Sequence, residues 1–478
     1  MSVVQETAAP APAAIPGRAY SIYVLVLLTG VYTFNFIDRQ IIGIISPYIK
    51  ADLGLADWQL GVLKGFAFAV LYTVLGIPIA RLADRYNRVT IISVALALWS
   101  GFTAISGMAT NFAQLAAARV GVGIGEAGGS PPSHSLISDY YPKEKRAGAL
   151  AVFAMGIPIG ITFAYLGGGW LTQTFSWRMA FIVVGLPGVL LAVLVKFTVR
   201  EPKRGATDAP GQTDIFKTMD FGTPVSGFEK FLFGLTRILP KGAGDATFRE
   251  LAALWRAAKY LLSIPTYRGV VIGMTAASFA SYAVGTWIID FFSRSHPGYS
   301  MTNVYFWLGV INGTAYVAGA FLGGVIVDKF AVKSKAIYGT LPALALLLNA
   351  PLFLGAMWVD DPVISMWLWA PSHLLLGCYL GPSFALAQTL APVSIRALST
   401  AIFFFILNMI ALGFGPTYVG IASSLMIPSF GEEMALRIAL SSVLVAGMIG
   451  MWGFWLLSKT IDTDWAKATA SSEPGAGH

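Results

Sequence analysis

Several charged side chains interrupt the apolar runs of this chain. Asp38 and Arg39 are adjacent in one run, Lys64 falls in a second, and Arg119 and Glu126 share a third. An ionised group at the centre of a membrane helix costs about 2.5–3.5 kcal/mol on insertion scales, so such residues persist where they pair, line a polar cavity or carry ions. A carboxyl there suits proton transfer, because burial favours its neutral form and a nearby cation its charged form. A guanidinium suits phosphate or carboxylate, since its fork donates two hydrogen bonds at once. The residue types therefore assign proton coupling to Glu126 and Asp38, and binding of an anionic group to Arg119, Arg39 and Lys64. Arg119 and Glu126 are separated by almost two helical turns, about 10 Å of rise at 1.5 Å per residue, and so share a helix face. The plainer alternative, static ion pairs that fix helix register, stays open for all five. Lys196 lies near the end of its run, where a long side chain snorkels to the interface.

The elements that must position these groups are membrane helices. Of 478 residues, 56% are apolar and 12% charged, and a soluble domain carries roughly twice that charged share. Apolar runs occur at 20–46, 58–80, 89–109, 112–137, 147–171 and 178–199, then at 266–292, 302–327, 335–358, 363–389, 396–423 and 434–458. Each is long enough to span a bilayer, which needs about 20 residues. The fold class predicted is an all-α membrane protein with twelve transmembrane helices in two six-helix, pseudo-symmetric bundles. The division is 1–19 as a disordered cytoplasmic tail, 20–200 and 265–458 as the bundles, 201–264 as a cytoplasmic linker, and 459–478 as a second tail. With both termini in the cytoplasm, 24 Lys and Arg residues fall on that side and only Lys50, Arg178, Arg294 and Arg437 on the other, which is the bias that sets orientation. A plasma (inner) membrane protein is expected.

The formal net charge of +8 follows this topology, so nucleic acid is not an expected partner. Four histidines and one cysteine give no metal spacing, and Ser133-His134-Ser135 with His373 form no nucleophile–base–acid pattern. Neither an enzyme nor a cofactor is predicted, and the carrier is expected to act as a monomer. Met1 to Pro16, rich in Ala and Pro, has no secretory signal pattern. In the linker, two basic amphipathic segments, at 225–240 and around Leu251–Leu262, either tether the bundles or lie on an anionic lipid surface.

An internal repeat marks the two halves. Ala80-Arg-Leu-Ala-Asp84-Arg85-Tyr-Asn-Arg88 follows the second run, and Gly324-Val-Ile-Val-Asp328-Lys329-Phe330 follows the eighth. Parallel repeats are a transporter architecture. These segments resemble the loop motif of the major facilitator superfamily, roughly Gly-x-Leu-Ala-Asp-Arg-x-Gly-Arg-Lys. They match it at Leu82, Ala83, Asp84, Arg85 and Arg88 and depart at Ala80, Asn87 and Val89. The resemblance implies a cytoplasmic gate at Asp84, Arg85, Arg88, Asp328 and Lys329. Gly156, Pro158 and Gly160 are similar to the superfamily's glycine–proline motif of the fifth helix. Asn35-Phe-Ile-Asp38-Arg39, Asp84 to Arg88, and Arg119-Val-Gly-Val-Gly-Ile-Gly-Glu126-Ala127 with Pro131, Pro132 and Asp139 together resemble the Spinster branch. That resemblance implies alternating access with proton coupling. It implies as substrate an amphipathic anionic lipid, a lysophospholipid or sphingosine-1-phosphate-like molecule, with membrane lipids and protons as the other partners. The alternative is proton-driven export of hydrophobic drugs or organic anions. Aromatic residues such as Tyr282, Trp287, Tyr316, Trp367, Trp369 and Phe404 are candidates to wall an apolar cavity.

Overall fold

The computed structural model describes residues 17–204, 243–391 and 396–470, and these contain helices and no strand. Ten stretches are long and apolar enough to cross a membrane. The last, Leu398–Lys467, holds two spans, because Gly431 takes a left-handed φ of 76° that breaks the helix. Phe112–Glu126 followed by Ser130–Tyr140 supplies the remaining span, interrupted at Ala127–Gly129. The described residues thus hold twelve candidate spans, and spans 1 and 12 begin and end on one side, here the terminal side.

Span 1 is Arg18–Ile44. Span 2 joins Asp57–Lys64 to Phe66–Arg85 across Gly65. Spans 3, 6 and 9 are the continuous helices Arg88–Ser106, Trp177–Thr198 and Ile337–Trp358. Span 7, Pro265–Ser295, is continuous too. The other spans are irregular. Span 5 turns at Met155 and carries a π-turn at Ala164–Gly168. Span 8 carries one at Asn312–Tyr316, and span 11 one at Asn408–Phe414. Span 10 breaks between Pro362–Gly377 and Leu380–Thr389, as span 4 does at its equivalent place. Irregularity therefore falls on matching spans of the halves, 2 with 8, 4 with 10 and 5 with 11, while span 12 alone adds a turn, at Val443, that span 6 lacks. π-turns widen a helix locally and gather at working sites. The last helix runs on to Ala470, into the stretch expected as a tail.

The expected amphipathic segment at 225–240 lies outside the described residues. The second forms helix Ala243–Ser263. Its Leu261 is buried, and Leu254 and Leu262 pack with it on the C-terminal half, leaving Trp255 partly exposed.

Apolar packing divides by depth. On the far side from the termini, one core is shared: Ile41, Ile45, Leu60 and Leu63 pack with Trp287, Ile288, Val419 and Leu440. Toward the terminal side each half keeps a core of its own, Leu412 excepted. Glycine permits the far-side contact. A Cβ on Gly61 would stand 3.0 Å from the Pro416 carbonyl and 3.1 Å from the Gly420 Cα, and one on Gly65 would run into the Gly413 carbonyl. A Cβ on Gly420 would collide with the Asp57 carbonyl. Small residues let membrane helices approach this closely.

Gly420→Val is therefore expected to part spans 2 and 11 on the far side without unfolding the protein. Spin labels on Phe175→Cys and Asn303→Cys, both at exposed far-side positions, in a Cys378→Ser background, should move apart. An unchanged distance distribution would mean that this glycine contact does not hold the far side shut.

Candidate functional site

The middle of span 4 is where glycine matters most for the site. A Cβ on Gly121 would meet the Phe102 ring, one on Gly123 the Phe68 carbonyl, and one on Gly125 the Trp99 backbone. Span 4 therefore lies flush against spans 2 and 3, and its Arg119 and Glu126, on one face, reach span 1. Glu126 ends the first segment of the span and is fully buried. Arg39 Nε donates to Glu126 Oε2 at 2.6 Å. Arg119 Nη1 donates to the Asp38 carbonyl at 3.3 Å. The structure thus brings together two acids and two bases, on facing helices of one half.

The group is held by aromatic rings and is incompletely bonded. The Arg39 guanidinium lies 4.5 Å from the Tyr72 ring centroid, with Phe36 and Phe68 at 5.1 and 5.3 Å. Cation–π contact of this kind gains strength when water is excluded. Asn35 stands beside Glu126, and Trp99 and Thr103 beside Asp38, at geometries short of a hydrogen bond. Both Asp38 carboxylate oxygens, Glu126 Oε1, Arg39 Nη2 and Arg119 Nε are buried with no protein partner. A buried polar group left unpaired is expensive, so these atoms are poised to take a proton or a ligand.

A cavity of ≈ 680 Å³ lies between the halves, within the usual size for a small-molecule site. It runs from mid-membrane toward the terminal side, bounded by His134 and Phe153 on one flank and Phe384 and Phe404 on the other. Arg39 is the only charged side chain on its wall among the described residues. Glu126 sits directly behind Arg39. Asp38, Arg119 and Lys64 do not line the cavity. Tyr282, Tyr316, Trp369 and Phe404 do, whereas Trp287 is buried elsewhere and Trp367 faces outward.

Lys64 joins a different cluster. Its Nζ donates to Asp290 Oδ2 at 2.6 Å and stands 3.6 Å from the Trp287 ring centroid. Ser46 donates to the same oxygen at 2.6 Å. Further out, Arg294 grips Asp57 at 2.7 and 2.8 Å, Ser423 donates to Asp57, and Lys50 bridges Asp57 and Glu432. All of these contacts except Lys50–Asp57 join the N-terminal to the C-terminal half, so the far side is closed by buried charge as well as by glycine. Asp290 was not among the residues singled out from sequence. An acid inside the run 266–292, opposite in sign to the lone Lys64, is the signal that finds it.

On the terminal side, Arg88 is buried and donates to Asp139 and Glu201 at 2.6 Å each, all within the N-terminal half and its exit. Arg85, Asp328 and Lys329 are exposed. The side chain of Asp84 lies outside the described residues. The described hydrogen bonds and ion pairs between halves gather in the far half and the middle.

Comparison with known proteins follows the same outline. The family model described as Major Facilitator Superfamily matches residues 28–416. An MFS-type efflux pump of Mycolicibacterium smegmatis is 30% identical over 443 residues, 93% of each chain. A D-galactonate transporter of Escherichia coli is 26% identical over 453 residues, 94% of this chain and 97% of its own. A crystal structure of a bacterial homologue of the human lysosomal transporter spinster, inward-facing and unoccupied, aligns with a TM-score of 0.78 at 28% identity. That alignment covers 94% of this chain and 99% of the homologue.

Removing one member of a buried ion pair costs about 3–5 kcal/mol, while replacing both with apolar groups is often neutral. Lys64→Met should accordingly lower the thermal unfolding midpoint in detergent, and Lys64→Met with Asp290→Leu should recover most of the loss. A double variant no more stable than the single one would show that the pairing is not the source of the cost.

Proposed function

This chain belongs to the Major Facilitator Superfamily and is a Spinster-like secondary transporter, and from that premise we propose that it carries an amphipathic organic anion together with a proton by alternating access. The observation that carries this reading is the layering at Arg39: one guanidinium faces an apolar cavity, with a buried carboxyl directly behind it. Water-filled paths are not required for the two ligands to sense each other. The Arg39 guanidinium is shared.

The coupling follows from charge bookkeeping. With the cavity free of substrate, Arg39 neutralises Glu126. An entering anion draws the guanidinium toward the cavity, using Nη2, which has no protein partner. Glu126 then lacks its counter-ion in a buried place, where an isolated carboxylate is costly, and it takes up a proton. Anion and proton thus favour each other's binding, and by linkage each raises the affinity for the other by the same factor. Asp38 is the second proton site in this scheme, with Arg119 holding the backbone of span 1 from behind. Lys64, notionally a substrate ligand, is better suited to closing the far side through Asp290.

Orientation follows from the Lys and Arg bias, which supports a cytoplasmic terminal side. The cavity then faces inward. Asp84, Arg85 and Arg88 with Asp328 and Lys329 are the residues proposed to close that side when the cavity turns over.

An apolar-tailed substrate is favoured by the wall itself. Phe36, Ile157, Ile161, Leu346, Phe353, Leu376 and Met448 line the cavity around the single charge. A single-chain lipid phosphate fills such a site with its chain and places its anion on Arg39. A sugar acid, the cargo named for the D-galactonate transporter, would bring several hydroxyls to a mainly apolar wall and bury no hydrocarbon chain against it, and each hydroxyl left unpaired costs free energy.

Reconstituted into liposomes, the protein should move lysophosphatidic acid faster than galactonate or a hydrophobic cation. An acid-directed gradient should drive lysolipid uphill. Glu126→Gln should abolish uphill movement while leaving downhill exchange measurable. Uphill transport by this variant at the normal rate would remove the proposed proton role. Arg39→Ala should weaken lysolipid binding by more than about thirtyfold, the loss expected on deleting one partner of a buried charged contact.

A further inference from the structure

The same cavity carries a second set of polar atoms, in the C-terminal half, that the Arg39 site does not use. Asn312 opens the π-turn of span 8 and is 8% exposed, and its amide nitrogen Nδ2 is buried with no protein partner. Trp369 of span 10 is 1% exposed, with Nε1 likewise unpartnered. Both residues line the cavity, as do His373, Asn349 and Tyr316. Buried donors without acceptors are rare in folded proteins, and each asks for an explanation.

The surroundings are built rather than incidental. His373 bonds through Nδ1 to the Trp369 carbonyl at 3.2 Å. A carbonyl only accepts, so Nδ1 carries the proton and Nε2 remains as an acceptor. The indole of Trp369 is fixed on one side by Phe353, with ring centroids 5.8 Å apart, and on the other by His373 at 5.0 Å. Asn349 is occupied by Ser372, which donates to its Oδ1 at 2.6 Å. The result is two unpaired donors just behind the apolar lining, on packed elements of spans 8 and 10, with one imidazole acceptor beside them and no formal charge among the three.

We propose that Asn312, Trp369 and His373 form a second subsite that binds an uncharged hydroxyl of the substrate, at a distance from its anionic end. A hydroxyl accepts two hydrogen bonds and donates one, which matches two donors and one acceptor. An ionised group would find no counter-charge there, and a bare hydrocarbon would leave both donors unpaired. The substrate class narrows accordingly to an amphiphile that carries an anion at one end and a neutral hydroxyl further along its length. The anionic part of this statement rests on the function proposed above, and the hydroxyl part does not.

The test uses the full-length protein in nanodiscs and two probe series. The first series is dodecyl phosphate and its analogues bearing one hydroxyl at successive chain positions. The second is dodecanol and the corresponding diols, which have no anion. In the wild type, one hydroxyl position should improve affinity about tenfold or more in the phosphate series, as expected where a site is built to bond that group. The gain, measured as the ratio to plain dodecyl phosphate on the same protein, should vanish in Trp369→Phe with Asn312→Leu, which keeps bulk and removes both donors. No gain at any position, or a gain that survives in the double variant, would overturn the subsite. If the phosphates fail to bind but a diol still outbinds dodecanol in the wild type only, the subsite stands and the anion reading falls.

Discussion

A charge taken out of water must meet its opposite, and this chain places such meetings in two ways. Arg39 with Glu126 is a pair inside one half, so it travels intact when the halves rock. Lys64 with Asp290 is a pair between halves, so it exists only while the far side is shut. The same desolvation cost therefore does two jobs. Within the half it would, in the mechanism proposed, make occupancy of the cavity and protonation of a carboxyl interdependent. Across the halves it makes opening a matter of finding other partners or water for both charges.

Packing follows this division. Far-side closure combines a shared apolar core with glycine-to-backbone contact between spans 2 and 11. Such contact has no long side chains to disentangle, so it can separate and reform without rotamer searches. Toward the terminal side the halves keep separate cores, and the cavity lies between them. The structure is thus asymmetric in its cohesion although its two halves are built on one plan.

Much of this was legible in the residues. The spacing of apolar runs and the placement of Lys and Arg report the bilayer directly, because hydrocarbon admits few alternatives to a helix. Arg119 and Glu126 on one face follow from helical period alone, and both do reach span 1. What sequence could not supply was which charge meets the cavity. Arg39 and Arg119 are chemically alike, and only the packing of spans 1 and 4 in three dimensions decides that Arg39 is the one on the wall. Partners drawn from distant spans were equally hidden: nothing near Lys64 in the chain points to Asp290. Helix interruptions opening at Asn312 and Asn408 were not legible either, since Gly313 and Gly413 within them do not differ from the many glycines elsewhere in these membrane helices.

The recurrence of broken backbone in spans 2, 4 and 5 and in spans 8, 10 and 11 has a consequence for how the molecule breathes. A carbonyl that has lost its usual amide four residues on is a place where deuterium from solvent enters first. Spans 1, 3 and 7 have ladders with no interior proline and will hold their protons longest, whereas Pro187 in span 6 and Pro342 and Pro351 in span 9 each remove one bond. Isotope exchange would then trace the two halves as a pair of similar patterns, stiff rods alternating with leaky ones, and would reveal the common plan of the halves even to an observer who had no coordinates.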